Sequence, residues 1–204
     1  MKKIMFNDRY GLTEAVLSGQ KTQTRRIITN CTGIRLSPFC QSGVEDNHGY
    51  ELKPKYYVGE IVAIAQSYKD TGVNPTSIIG LPIKGSKTHG VLQCEAQCTP
   101  GWDNKLFVRA DLMPHHIRIT NVRVERLQDI SDEDCIKEGI YKDETSCFNH
   151  CAYDYYKCIN NYVVATRWYN TPREAYAALI DHISGKGTWD SNPYVFVYDF
   201  ELVK

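Results

Sequence analysis

No stretch of this sequence approaches the roughly 20 consecutive apolar residues that a membrane-spanning helix needs, and near its start only Ile4, Met5 and Phe6 form an apolar run. The expectation is a cytoplasmic protein with no membrane partner. Charge of one sign is also missing. Lys+Arg and Asp+Glu stand at 24 each, so no global field draws the chain to a polyanion, and any nucleic-acid contact has to be local. No internal repeat stands out at the roughly 20–50-residue periods of solenoids, and the regular strand–helix alternation of a parallel sheet is absent.

A hydrophobic fraction of 42% in 204 residues supports one domain-sized core. The eight cysteines are Cys31, Cys40, Cys94, Cys98, Cys135, Cys147, Cys151 and Cys158. In a chain read as intracellular they are reduced thiols. Cys94-x3-Cys98 and Cys147-x3-Cys151-x6-Cys158, with His150 between, lack the C-x2-C spacing of a zinc knuckle. No metal and no cofactor is expected. "GLPIKGSKT" from Gly80 to Thr88 nearly spells a phosphate loop, but Ser86 occupies the required lysine position, so it reads as a polar surface loop.

Periodicity places a short strand at Ile4–Phe6 and a helix through Leu12, Ala15, Val16 and Leu17 that stops at Gly19. A strand ends at Ile27 and Ile28, and "GEIVAIAQSY" supplies another at Ile61–Ala65. In "HIRITNVRVERL", Ile117 and Ile119 alternate, then Val122 and Val124 on the other parity, which predicts a bulge near Asn121. Ser131 caps a helix ending at Gly139. Thr171, Pro172 and Glu174 open a second helix that stops near Gly185. "NPYVFVYDFELV" closes the chain as a strand. The pattern predicts one α+β domain over 1–204, a small bent sheet closing toward a barrel and flanked by about three helices, with insertions at 29–56, 68–104 and 141–165.

The chemistry-bearing segment is "GQKTQTRR", where a helix-ending glycine, Gly19, is followed at once by Lys21, Thr24, Arg25 and Arg26. Residues 1–30 hold six basic side chains against Asp8 and Glu14. Two readings are open: a ligand site, or a solvated strand edge defended by basic residues.

Gly19-x-Lys21-x-x-Thr24-x-Arg26 resembles the G-x-K-x-x-[ET]-x-R signature of ASCH domains, PUA-like small β-barrels that handle RNA or nucleotides. "YYVGEIVAIAQSY", "RITNVRVERLQDISDEDCIKEGI" and "NPYVFVYDFEL" are similar to a barrel strand, a strand–helix unit and the closing strand of phage and bacterial members. The resemblance covers about half the chain in scattered blocks. It implies a partner that is RNA or a modified nucleoside or nucleotide. One bacterial branch hydrolyses N4-acetylcytidine through a Lys, a Thr and a Glu, and the matching positions are Lys21, Thr24 and Glu138.

In that role Thr24 is the nucleophile, Lys21 the base once burial lowers its pKa, and Glu138, at the end of a helix, the proton shuttle. Gly19, Arg25 and Arg26 complete a ligand-binding set, with Arg26 orienting a phosphate or stabilising an oxyanion. The same residues support three other readings. Glu138 forms a rim salt bridge; or a binding-only module stacks a base on Tyr56, Tyr57, Tyr68, Trp102 or Trp168; or an RNA-cleaving enzyme uses Lys21 and Glu138 with the substrate's 2′-hydroxyl as nucleophile.

Overall fold

A computed structural model describes residues 1–29, 33–71, 100–143, 152–159, 162–165 and 169–203, the strands between 152 and 165 by their backbone. In order these are β1 (Lys3–Ile4), α1 (Leu12–Leu17), β2 (Gln23–Ile27), β3 (Ile34–Leu36), β4 (Val44–Asp46), β5 (Ile61–Ile64) and α2 (Tyr68–Thr71). There follow β6 (His116–Arg126), α3 (Asp132–Lys137), β7 (Tyr141–Asp143), β8 (Ala152–Asp154), β9 (Tyr156–Ile159), β10 (Tyr162–Ala165), α4 (Pro172–Ser184), α5 (Thr188–Ser191) and β11 (Tyr194–Val203). The class is α+β, as the composition of elements implies. Hydrogen bonding among the described residues traces no closed barrel.

The described residues group into two compact units. The first joins Met1–Phe6 to Ile61–Ile117. Here β1 runs parallel to β5, with Lys3 opposite Ala63 and Ile4 opposite Ile64, and the Ile64 N–H donates to the His115 carbonyl at 2.9 Å. The β-branched run at 61–64 suits this strand, since Val62, Ala63 and Ile64 are fully buried. Ala63, Tyr68, Val108 and Met113 form a core on which Trp102 packs. Two lysines tie the ends together: Lys3 Nζ donates to the carbonyls of Leu106 at 2.6 Å and Val108 at 2.7 Å, and Lys105 Nζ donates to the Phe6 carbonyl.

The second unit joins Asn7–Glu60 to Arg118–Lys204. Its strands lie in the order β6-β11-β2, and β11 runs antiparallel to β2 with Phe196 opposite Arg26, Val197 opposite Arg25 and Tyr198 opposite Thr24. The three helices expected from the sequence are all present. Ser131 accepts the Asp134 N–H and caps α3, and Thr171 accepts the Glu174 N–H and caps α4 above Pro172. Ala175, Tyr176, Leu179 and Ile180 on α4 are buried. The extra helices α2 and α5 are single turns of four residues, too short to leave a period in the sequence. Residues 29–56 contain the β3–β4 hairpin. β6 is one continuous strand through Asn121; Ile117 and Ile119 are fully buried, whereas Val122 and Val124 are half-buried.

Candidate functional site

Backbone geometry places Lys21. After α1, Gly19 turns with φ +79°, a left-handed conformation that a side chain disfavours, and the Lys21 N–H closes on the Ala15 carbonyl at 2.8 Å. The Thr22 N–H then donates to the Lys137 carbonyl at 3.0 Å, which fastens this turn to the C-terminal end of α3. Gly139 follows with φ +103°, and a Cβ there would stand 3.3 Å from Leu12 Cδ2 and 3.7 Å from Lys21 Cδ. The lysine stem therefore lies across a residue with no side chain.

Lys21 is 2% exposed, and its Nζ donates to Glu138 Oε2 at 2.5 Å and to the Glu138 carbonyl at 2.6 Å. An ammonium at a helix C-terminus is favourably placed against the helix dipole. Burial lowers the Lys21 pKa; Glu138 pulls the other way, and Arg26 and Arg25 add to the lowering. Lys21 and Glu138, separated in the sequence by most of the chain, are thus brought into direct contact.

Arg25 completes a wider network. Its Nη1 donates to Glu138 Oε1 at 3.1 Å and to Gln23 Oε1, and its Nη2 donates to Glu125 Oε1 at 2.6 Å and Asp134 Oδ2 at 3.1 Å. Burial works against this charge, but Glu138, Tyr176 and Glu125 outweigh it and hold the guanidinium pKa above its ordinary value. Arg123 links the same carboxylates outward, to Asp134 Oδ2 at 2.8 Å, Glu125 Oε2 at 3.1 Å and Asp199 Oδ2 at 2.7 Å. Lys21, Arg25, Arg123 and Lys137 balance Glu125, Asp134, Glu138 and Asp199 in formal charge. Such balance is what makes a buried ionic cluster tolerable.

Strand alternation divides the signature. Gln23 and Arg25 point to the ionic cluster, so Thr24 and Arg26 lie on the opposite face of β2, beside Tyr198 and Phe196 of β11. Thr24 is 5% exposed and Arg26 is half-buried. Gly19 shapes the turn. Of the six residues singled out from the sequence, Lys21, Arg25 and Glu138 therefore meet at one point, and Thr24 and Arg26 share the other face.

Several members of the cluster escaped sequence reading. Glu125, Arg123 and Asp199 look like ordinary surface charges on strands, and Asp134 reads only as an acidic residue in the first turn of α3. The single carboxylate within the apolar run "VFVYDF" is the signal that points to Asp199. Tyr176 has no charge to advertise it, yet it is 1% exposed, its hydroxyl has no hydrogen-bond partner among the described residues, and burial holds its pKa well above the usual tyrosine value. Among the candidate stacking aromatics, Tyr68 and Trp102 pack in the first unit's core and Tyr56 is buried with its ring 5.3 Å from that of Tyr198. Tyr57 is 50% exposed.

Among the described residues no group of three His, Cys, Asp or Glu is arranged to hold a metal, and Cys40 and Cys135 are free thiols. Burial pushes the Cys135 thiol up to about 12, which leaves it inert at neutral pH. Cys31, Cys94, Cys98, Cys147, Cys151, the Cys158 side chain, the 80–88 loop and Trp168 lie outside the described residues. No described helix is long and apolar enough to cross a membrane. Compared with protein-family models, with characterised proteins and with solved structures, the chain matches none.

Proposed function

We propose that this chain is an ASCH-type, PUA-like protein that handles RNA or a modified nucleoside, and that it hydrolyses an N-acylated cytidine with Lys21, Thr24 and Glu138. The observation that carries the reading is the buried Lys21–Glu138 pair at 2.5 Å. A desolvated lysine with a lowered pKa is a base in waiting, which a surface ion pair is not. Transfer of one proton from Lys21 Nζ to Glu138 Oε2 leaves a neutral amine and a carboxylic acid. Because Thr24 lies on the other face of β2 from Arg25, the reading requires a water to relay the Thr24 hydroxyl proton to the amine as the oxygen attacks the acyl carbon, and Glu138 returns its proton to the departing N4. Water releases the acyl group from Thr24 as a carboxylic acid, restoring the hydroxyl.

A binding-only reading has one observation in its favour: Thr24 and Arg26 lie on the face of β2 away from Arg25 and its bond to Glu138. In that case the ionic cluster holds the fold, and Arg26 with the neighbouring aromatics binds base and phosphate.

Acetate release from N4-acetylcytidine, measured beside ligand affinity, separates the readings. Hydrolysis by the unaltered chain, abolished in Thr24→Val with affinity nearly intact, supports the amidohydrolase. Absence of turnover with salt-dependent RNA binding supports the binding module. Cleavage of RNA that survives Thr24→Val but is lost in Lys21→Ala and Glu138→Gln assigns an RNA-cleaving enzyme.

A further inference from the structure

The second unit contains a cavity of about 400 Å³ that the Lys21 chemistry does not use. Its apolar wall is made by Phe196, Val122, Pro54, Tyr57 and Val58. Phe196 stands opposite Arg26 in the β2–β11 ladder, so the cavity opens on the face of the sheet away from Arg25 and Glu138. The rest of the lining comes largely from the segment around the β3–β4 hairpin, in Gln41, Ser42, Glu51 and Lys53.

We infer that this cavity binds a nucleoside-sized ligand, a planar heteroaromatic base carrying a 5′-phosphate. The size falls in the roughly 300–1,000 Å³ range of small-molecule sites. Two aromatic rings in a mainly apolar wall, one of them Tyr57 at 50% exposure, suit a flat ring that stacks. The polar groups suit the edge of a base: the Gln41 amide both donates and accepts, and the Ser42 hydroxyl, which donates to the Val44 carbonyl at 3.2 Å, accepts. Ser42 is held in place by its N–H, which donates to Glu51 Oε1 at 2.8 Å. Arg123 also lines the cavity, and its guanidinium is engaged by Glu125, Asp134 and Asp199. Lys53 is exposed at the lip, where an ammonium suits a phosphate. The inference does not depend on catalysis by Lys21.

The test is calorimetric titration of the full chain with cytidine 5′-monophosphate, cytidine and ribose 5-phosphate. The mononucleotide is expected to bind saturably at one site per chain and ribose 5-phosphate not to bind. Tyr57→Ala is expected to weaken the mononucleotide about tenfold or more, and Tyr57→Phe to restore it, because the ring supplies the stacking. Lys53→Ala is expected to weaken the mononucleotide about three- to fivefold and leave cytidine unchanged. Tyr57 and Lys53 are both on the surface, and a circular-dichroism melt matching the unaltered chain verifies that each variant folds. Displacement of the mononucleotide by a short single-stranded oligonucleotide marks a base within RNA as the ligand, and failure to displace marks the free nucleotide; either keeps the base site. The proposal is overturned by absence of saturable binding, by ribose 5-phosphate binding as tightly as the mononucleotide, or by unchanged affinity in folded Tyr57→Ala.

Discussion

Lys21 and Glu138 make two hydrogen bonds to each other, one through the side-chain carboxylate at 2.5 Å and one through the backbone carbonyl at 2.6 Å. The first bond carries charge, and the second seats the ammonium on the C-terminal end of α3. Together they bind the turn after α1 to a helix 117 residues further along the chain. The pair therefore has a structural consequence whatever its chemistry.

The two ends of that pair are not equivalent in stability. In Lys21→Met the Glu138 carboxylate keeps its bond to Arg25 Nη1, so a loss of about 2–3 kcal/mol is expected. Glu138→Gln leaves two buried cations facing a neutral amide, and about 3–5 kcal/mol is expected. Urea unfolding of both variants checks the order, and a larger loss in Lys21→Met contradicts it.

Asp134 ties the network to acid stability. Burial by itself raises its pKa, but Lys137 and Arg25 outweigh this and hold it below the ordinary 3.8. A carboxylate with a depressed folded pKa stabilises fully above its unfolded value, and the contribution disappears as pH falls through the folded pKa. Asp134→Asn is expected to cost about 1–3 kcal/mol at pH 7. The gap to the unaltered chain should close below pH 3.8, and unfolding curves at stepped pH check the sign. A gap that widens in acid contradicts the assignment.

Gly19 and Gly139 both adopt positive φ, but only Gly139 is crowded. Among the described residues Gly19→Ala meets nothing within 4 Å, so it carries the backbone term alone, about 1 kcal/mol. Gly139→Ala adds contacts at 3.3 Å with Leu12 and 3.7 Å with Lys21, and a loss of about 2–3 kcal/mol is expected. Thermal unfolding ranks the two variants, and equal losses would show that the lysine stem does not press on Gly139.

Tyr176→Phe removes a buried hydroxyl that has no hydrogen-bond partner among the described residues. Because desolvating that group costs free energy without return, the change is expected to be neutral or to stabilise by up to about 1 kcal/mol. A melting temperature lowered by several degrees would reveal a partner for the hydroxyl in solution.

Local rules in the sequence were enough for the elements themselves. Ser131, Thr171 and Pro172 start helices, Gly19 and Gly139 end them, and the β-branched and aromatic runs at 61–64 and 194–203 become strands, because capping, left-handed turns and side-chain period act over a few residues. The closeness of Gly19, Lys21, Thr24, Arg25 and Arg26 was legible for the same reason. What the sequence could not carry is pairing across long separations. The register of β2 on β11 sends Arg25 toward Glu138 and leaves Thr24 and Arg26 on the face with Phe196 and Tyr198. Glu125, Asp134, Arg123 and Asp199 are ordinary charges in one dimension, and folding alone gathers them around one guanidinium or its neighbour. A carboxylate's burial, its partners and hence its protonation are properties of that assembled environment, in which water has been replaced by other charges; only the tertiary structure decides them.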